Sequence, residues 1–315
     1  MPAFSATAPG KIILFGEHAV VYGEPAIAVP VFSNQVRVVV TAQVKKKSGE
    51  IQIEAPDISL STTFEKLEID HPLRAALKVV LGDKDPTETP ACSIQISSEI
   101  PVSSGLGSSA AISAAIIRAF SAFLGQRLTD EKISDFAYEV EKIHHGTPSG
   151  IDNTVIAHQR PVYYQKGNPF QFLTIGKPFS ILIANSGKPG HTREAVKHVQ
   201  DGWLNDPDKY NQIFSRIGEI SNNARELIEE GQPDKLGELM DQNHELLQAL
   251  VVSSPELDQM VQTAKEAGAL GAKLSGGGMG GHMIALVKDD AERIAEMLLL
   301  SGATSTGITT IKNRN

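Results

Sequence analysis

Residues 109–124 carry a single charge, Arg118, among Ala, Ser, Ile and Phe. A helix without a polar face must be buried all round, so this segment obliges the rest of the chain to wrap it. Residues 92–98 come just before, with Cys92, Ile94 and Ile96 alternating as in a half-buried strand. Strand and helix are joined by Pro101-Val-Ser-Ser-Gly-Leu-Gly-Ser-Ser-Ala-Ala111. Gly105 and Gly107, on either side of Leu106, let the backbone turn tightly and come close to a ligand. Ser103, Ser104, Ser108 and Ser109 add hydroxyls beside the unpaired N–H groups of a starting helix, whose positive dipole end favours an anion. The segment reads as a phosphate cradle at the mouth of the core.

Other readings of these glycines fare worse. Gly105-x-Gly107-x-x-Ala110 fits a dinucleotide fingerprint in spacing, but Pro101 and two serines separate it from the strand. A second helix, not a parallel strand with a ribose-binding acid, is expected next. No G-x-x-x-x-G-K-[ST] occurs, which excludes a P-loop. A loop that merely turns the chain remains the bland reading of this segment alone.

With 315 residues, 41% apolar and 21% charged, the composition is that of a soluble globular protein of two domains or one large one. The net charge is −8, so an anionic substrate has to be met by local positive groups. Lys45-Lys46-Lys47 before Ser48-Gly49 reads as a solvated hairpin turn, and no nucleic-acid or membrane partner is expected. Cys92 is the only cysteine, which excludes an intrachain disulfide and suggests a buried, inert thiol. With no signal-like opening and no apolar run of membrane-spanning length, the expected location is the cytoplasm.

The first third is strand-rich: residues 4–8, a break at Pro9-Gly10, then 11–15, 26–32, 35–44 and a hairpin return at 50–54. Helical spacing covers 71–81, and Thr129 caps a helix with Asp130 and Glu131 in its first turn. Further strands are expected at 160–165 and 179–185. Past Gly187 helical patterns follow one another at 192–199, 208–230, 233–251 and 255–267. The tail 257–312 then has a helix–strand–strand–helix–strand order. The composition changes near 176–179, which suggests domains at 1–178 and 179–315.

Two more glycine motifs lie far from the cradle. One is Pro9-Gly-Lys-Ile-Ile-Leu-Phe-Gly-Glu-His18, running on through Ala-Val-Val-Tyr-Gly23. The other, Gly271-Ala-Lys-Leu-Ser-Gly-Gly-Gly-Met-Gly-Gly281, has six glycines in eleven residues, costly in chain entropy unless close approach is needed. Alone, it reads equally as a flexible hinge. Together with Glu141-Lys-Ile-His-His-Gly-Thr-Pro-Ser-Gly-Ile-Asp-Asn153, the three motifs resemble the GHMP small-molecule kinases, and within them the mevalonate kinases most. Galactokinases differ in carrying a Thr-Asp pair after the Glu-His.

The resemblance implies an α/β two-domain fold, with a strand-rich N-terminal domain and a ferredoxin-like C-terminal domain. It implies transfer of a phosphoryl group from ATP, with Mg²⁺, to the 5-hydroxyl of (R)-mevalonate, and a homodimer. It casts Asp152 as catalytic base and Lys11 as catalytic lysine. Ser109 and Glu141 become magnesium ligands, with Glu139 as the rival carboxylate. Glu17, His18 and Thr192 fall at the acceptor together with Asp152, and Lys166 stands near the acceptor carboxylate. The cradle residues hold the phosphates, and Asp57 and Ser98 fall near the nucleotide base and ribose. Phosphoryl transfer needs these parts: a cradle, a metal on the phosphates, a cation at the reaction centre and a group orienting the hydroxyl. Two departures stand out: the last glycine motif ends in His282, and Asn185-Ser186 replaces a more usual acid.

Overall fold

The computed structural model describes residues 3–101, 105–145 and 148–314. The chain forms two compact units. One draws its described residues from 1–10, 34–102 and 107–159, the other from 11–33, 103–106 and 160–315. The mixed α/β architecture expected from the sequence is present in both.

The first unit is built on the C-terminal part of β2 (Ala26–Ala42), β3 (Ile51–Ala55), β4 (Leu60–Thr63) and β5 (Cys92–Ser98), preceded by the N-terminal part of β1 (Ala3–Phe15). Val36, Val38 and Val40 alternate into the core, as their spacing predicts. β5 runs antiparallel to β2, with Val38 opposite Ile96, and parallel to β3, with Ile53 opposite Ile94. Among the described residues four helices accompany this sheet: α1 (Pro72–Leu81), α2 (Ser108–Phe123), α3 (Asp130–His145) and α4 (Ile151–His158). α2 packs against α1, α3 and α4. Its one charge joins the elements around it: Arg118 Nη2 donates to Asp130 Oδ1 at 2.8 Å and to Ala157 O at 2.8 Å. Thr129 Oγ1 accepts from Lys132 N at 3.2 Å, the expected cap of α3. Cys92 is fully buried, and burial pushes its thiol up to about 12.

In the second unit the N-terminal part of β2 pairs with β6 (Val162–Tyr164), and β6 pairs with β7 (Gln171–Phe172). β8 (Phe179–Asn185) is followed by four helices, α5 (Thr192–Asn205), α6 (Pro207–Glu229), α7 (Leu236–Ala249) and α8 (Pro255–Glu266). The chain closes with β9 (Gly271–Ser275), β10 (His282–Val287), α9 (Ala291–Leu300) and β11 (Ser305–Ile311). Among the described residues these last strands form a four-stranded sheet of order β11-β8-β10-β9, antiparallel throughout. Numbered within the sheet, that order is 4-1-3-2, the ferredoxin-like arrangement. Helices α7 and α8 pack on β9, with Ala272 and Leu274 in the shared core.

Three local expectations are corrected. Pro9-Gly10 does not break β1, which runs unbroken from Ala3 to Phe15. Among the described residues β1 pairs with β2 alone, so one side of it needs no ladder donor and proline is tolerated there. The segments at 26–32 and 35–44 form one strand, with Pro30 falling between the stretch paired to β6 and the stretch paired to β5. The hairpin expected between β2 and β3 is absent, because β5 stands between them. Gly49 serves instead to pack the loop against residues 87–89: a Cβ there would lie 2.8 Å from Thr87 Cα, and Gly49 N donates to Thr89 O at 2.7 Å. Helix α4 is not apparent from the sequence. It is a single short element rich in β-branched residues, and its pattern resembles a strand.

Candidate active site

Among the described residues the three glycine motifs converge within the second unit. Lys11 N on β1 donates to Leu106 O of the cradle at 2.8 Å. Ser275 Oγ at the end of β9 donates to Ile13 O at 2.8 Å. His18 Nε2 lies 2.9 Å from Gly277 O. A carbonyl only accepts, so Nε2 carries the proton. Burial lowers the imidazole pKa, an effect strengthened by His198 and opposed by the Gly277 contact. His18 is therefore held neutral with its tautomer fixed. Its backbone has φ 61° and ψ −49°, a sparsely populated conformation that surrounding structure must impose.

The third motif is a close-packed turn and not a hinge. A Cβ on Gly278 would lie 2.0 Å from Val252 O, and one on Gly280 would lie 2.5 Å from Pro189 O. Gly281 N donates to Lys188 O at 2.8 Å, and Ser186 N and Oγ both reach Gly281 O at 2.9 Å. Thr192, the first residue of α5, abuts the same turn: a Cβ on Gly277 would lie 2.6 Å from its Oγ1. His18 and Thr192, both expected at the acceptor, thus meet around Gly277.

Glu17 is placed differently. Its side chain is 1% exposed and forms an ion pair with Lys273 Nζ, whose own side chain is wholly buried. Burial raises the Glu17 carboxyl and lowers the Lys273 ammonium, while each charge draws the other back toward its ionised form. The sequence motifs alone do not single out Lys273. A charged residue between Ala272 and Leu274 in an apolar strand was the available signal. Lys166 is exposed and donates to Val21 O at 3.4 Å. Tyr22, at the end of the first motif, stacks on Phe214 with centroids 4.1 Å apart and tilts against Trp203 at 5.5 Å, which anchors the motif to α6 and α5.

In the cradle, Gly105 and Gly107 have φ of 79° and 75°, where glycine is favoured. Gly107 is the N-cap of α2, and Ser108 and Ser109 begin the helix. Ser103 and Ser104 lie outside the described residues. Within the first unit, Ser109 Oγ is buried and has no hydrogen-bond partner among the described residues. A buried hydroxyl left so is costly unless a ligand completes it. Glu141 is also buried, on α3, which packs against α2. Its rival Glu139 is exposed and paired with Lys142 at 2.7 Å. Asp152 lies in the first turn of α4, behind Gly150 at φ 81°. Asp57 and Ser98 come together, with Ser98 N donating to Asp57 Oδ2 at 2.7 Å.

Residues 71–159 match the model of the GHMP kinase N-terminal domain, and residues 224–302 match that of the GHMP kinase C-terminal domain. A mevalonate kinase of Pyrococcus horikoshii is 38% identical over 94% of this chain and 92% of its own length. The chain belongs to the mevalonate kinase family. As such it is an ATP-using kinase. Solved structures agree: the mevalonate kinase of Methanococcus jannaschii superposes with a TM-score of 0.84 at 29% identity, covering 100% of this chain and 99% of that one. That of L. major, solved in complex with R-mevalonate, also has a TM-score of 0.84 at 29% identity, over 98% and 95% of the two chains.

Proposed function

We propose that the chain transfers the γ-phosphoryl group of ATP to the 5-hydroxyl of (R)-mevalonate, giving 5-phosphomevalonate and ADP. The observation that carries this reading is the convergence of the first motif, the cradle and the glycine turn, in a chain that is 38% identical to a mevalonate kinase over nearly its whole length.

Asp152 takes the proton of the 5-hydroxyl, the oxygen attacks the γ-phosphorus, and the bond to the bridging oxygen of ADP breaks. A base so placed contributes about 10²–10⁴-fold. Lys11 offsets the negative charge gathering on the moving group. Residues 103–109 hold the phosphates on their N–H groups and hydroxyls, with Asp57 and Ser98 toward the base and ribose. Neutral His18 and Thr192 bind the acceptor, and the His18 Nε2–H is already committed to Gly277, leaving Nδ1 as an acceptor for a substrate hydroxyl.

The buried Ser109 hydroxyl and Glu141 carboxylate would supply hard oxygens of the kind that suits Mg²⁺. When bound, the ion neutralises phosphate charge. The 1–178 and 179–315 division, a homodimer and a cytoplasmic location complete the reading. A coupled ADP-release assay against mevalonate, phosphomevalonate, galactose and homoserine tests it. Turnover with mevalonate alone is expected, and turnover with another acceptor alone would overturn the assignment. Asp152→Asn is expected to cut kcat at least 10²-fold with nucleotide binding kept, and unchanged turnover would remove Asp152 from the base role.

A further inference from the structure

The Glu17–Lys273 pair takes no part in the steps above, and its burial calls for a reason. Removing two charges from water costs several kcal/mol per ion, so such a pair is a poor source of net stability compared with two apolar side chains. What a buried pair supplies is a fixed geometry.

Contacts between β9, the glycine turn and the first motif flank this pair. β9 alternates, sending Ala272 and Leu274 into the core shared with α7 and α8. Lys273 and Ser275 point the other way, toward the first motif, where Lys273 meets Glu17 and Ser275 meets Ile13 O. Lys273 Nζ donates to Leu274 O at 2.7 Å and stands 6.0 Å from the Phe15 ring, so the ammonium is held from three sides. Gly277 O takes the His18 ring proton. Residues 275 and 277 thus engage residues 13 and 18 on either side of the ion pair. The one residue of this set in a strained backbone conformation is His18.

We propose that Glu17 and Lys273 act together as positioning residues: they hold His18 in register with Gly277 and so set affinity for the acceptor, leaving affinity for the nucleotide alone. The pair touches neither substrate, since neither side chain is more than 1% exposed. This inference rests on the placing of His18 at the acceptor.

Steady-state kinetics of Lys273→Met, Glu17→Gln and the double variant Glu17→Leu/Lys273→Met test it. Each single change leaves one buried charge or amide facing a lost partner. The double variant has no unpaired charge and is expected to fold well, yet it lacks the tether. The KM for mevalonate is expected to rise about tenfold or more in the double variant and in any single variant that folds, with the KM for ATP within about twofold; tenfold corresponds to about 1.4 kcal/mol. A merely structural role would lower thermal stability and the active fraction without moving that KM. A folded double variant with the parental KM for mevalonate, or with both KM values raised alike, overturns the proposal. His18→Asn separates the two layers: if it leaves the KM for mevalonate unchanged, the acceptor assignment fails as well. If it raises that KM while the double variant does not, only the inference about the pair fails.

Discussion

Two glycine-rich turns in this chain have similar composition and opposite surroundings. At Gly105 an added Cβ meets nothing within 4 Å among the described residues, whereas at Gly278 it meets the Val252 carbonyl oxygen at 2.0 Å. The first turn uses glycine for a positive φ beside open space, as a loop must if a ligand's phosphates are to approach its backbone. The second uses glycine because protein already fills the space: Val252, Pro189, Lys188 and Thr192 press on it from two connections. Glycine content alone does not separate a turn that binds a ligand from a turn that holds a site together. What a side chain would strike does.

The largest test of that contrast is Gly278→Ala. The left-handed backbone costs about 1–2 kcal/mol and the overlap with Val252 about 1–3 kcal/mol more, so a clear fall in the midpoint of a thermal melt is expected. A parental melting temperature would mean that the turn is loosely packed. Gly276→Ala is the control inside the same turn. Its φ is 88° but nothing lies within 4 Å among the described residues, so a loss of only about 1–2 kcal/mol is expected. Equal losses at 276 and 278 would erase the distinction.

A smaller effect follows from the histidines behind and beside the turn. Burial lowers the pKa of His18 and of His244. The His244 Nδ1 accepts from Leu274 N at 3.4 Å, its Nε2 lies 3.2 Å from Asp258 Oδ1, Asp258 and Asp241 oppose the shift, and Lys273 adds to it. In the unfolded chain each titrates near 6.5. Below that value the unfolded state binds the proton first, so stability contributed by the neutral rings is present above pH 6.5 and lost as pH falls below it. Each histidine contributes at most about 1.4 kcal/mol per pH unit. Chemical denaturation from pH 7.5 to 5.5 is expected to show this slope, and His244→Gln to flatten it. An unchanged slope in the variant would show that His244 protonates in the fold as readily as outside it.

The strands at 92–98, 179–185 and 282–287 were legible to the residue, because alternation and length are local properties. The helix of 109–124 was legible from its missing polar face, and its burial follows from the same fact. Pairings were not. Whether Ser48-Gly49 closes a hairpin depends on β5, some forty residues later, and whether Pro9 ends a strand depends on which side of β1 has a neighbour. At the site, motif positions were legible while their supports were hidden. A lysine in a strand reads as solvated until its partner is known, and the partner of Lys273 lies 256 residues away. The strain at His18 is likewise a property of the folded backbone alone.

The most direct measurement is steady-state kinetics of Gly105→Ala and Gly277→Ala with ATP and mevalonate each varied. Among the described residues nothing lies within 4 Å of a Cβ at Gly105, whereas one at Gly277 would meet Thr192, and this predicts a crossed result. Gly105→Ala should raise the KM for ATP about tenfold or more and leave that for mevalonate within about twofold, and the folded fraction of Gly277→Ala should do the reverse. Two variants that raise both KM values in the same proportion would contradict the account, since the two turns would then serve one undivided site.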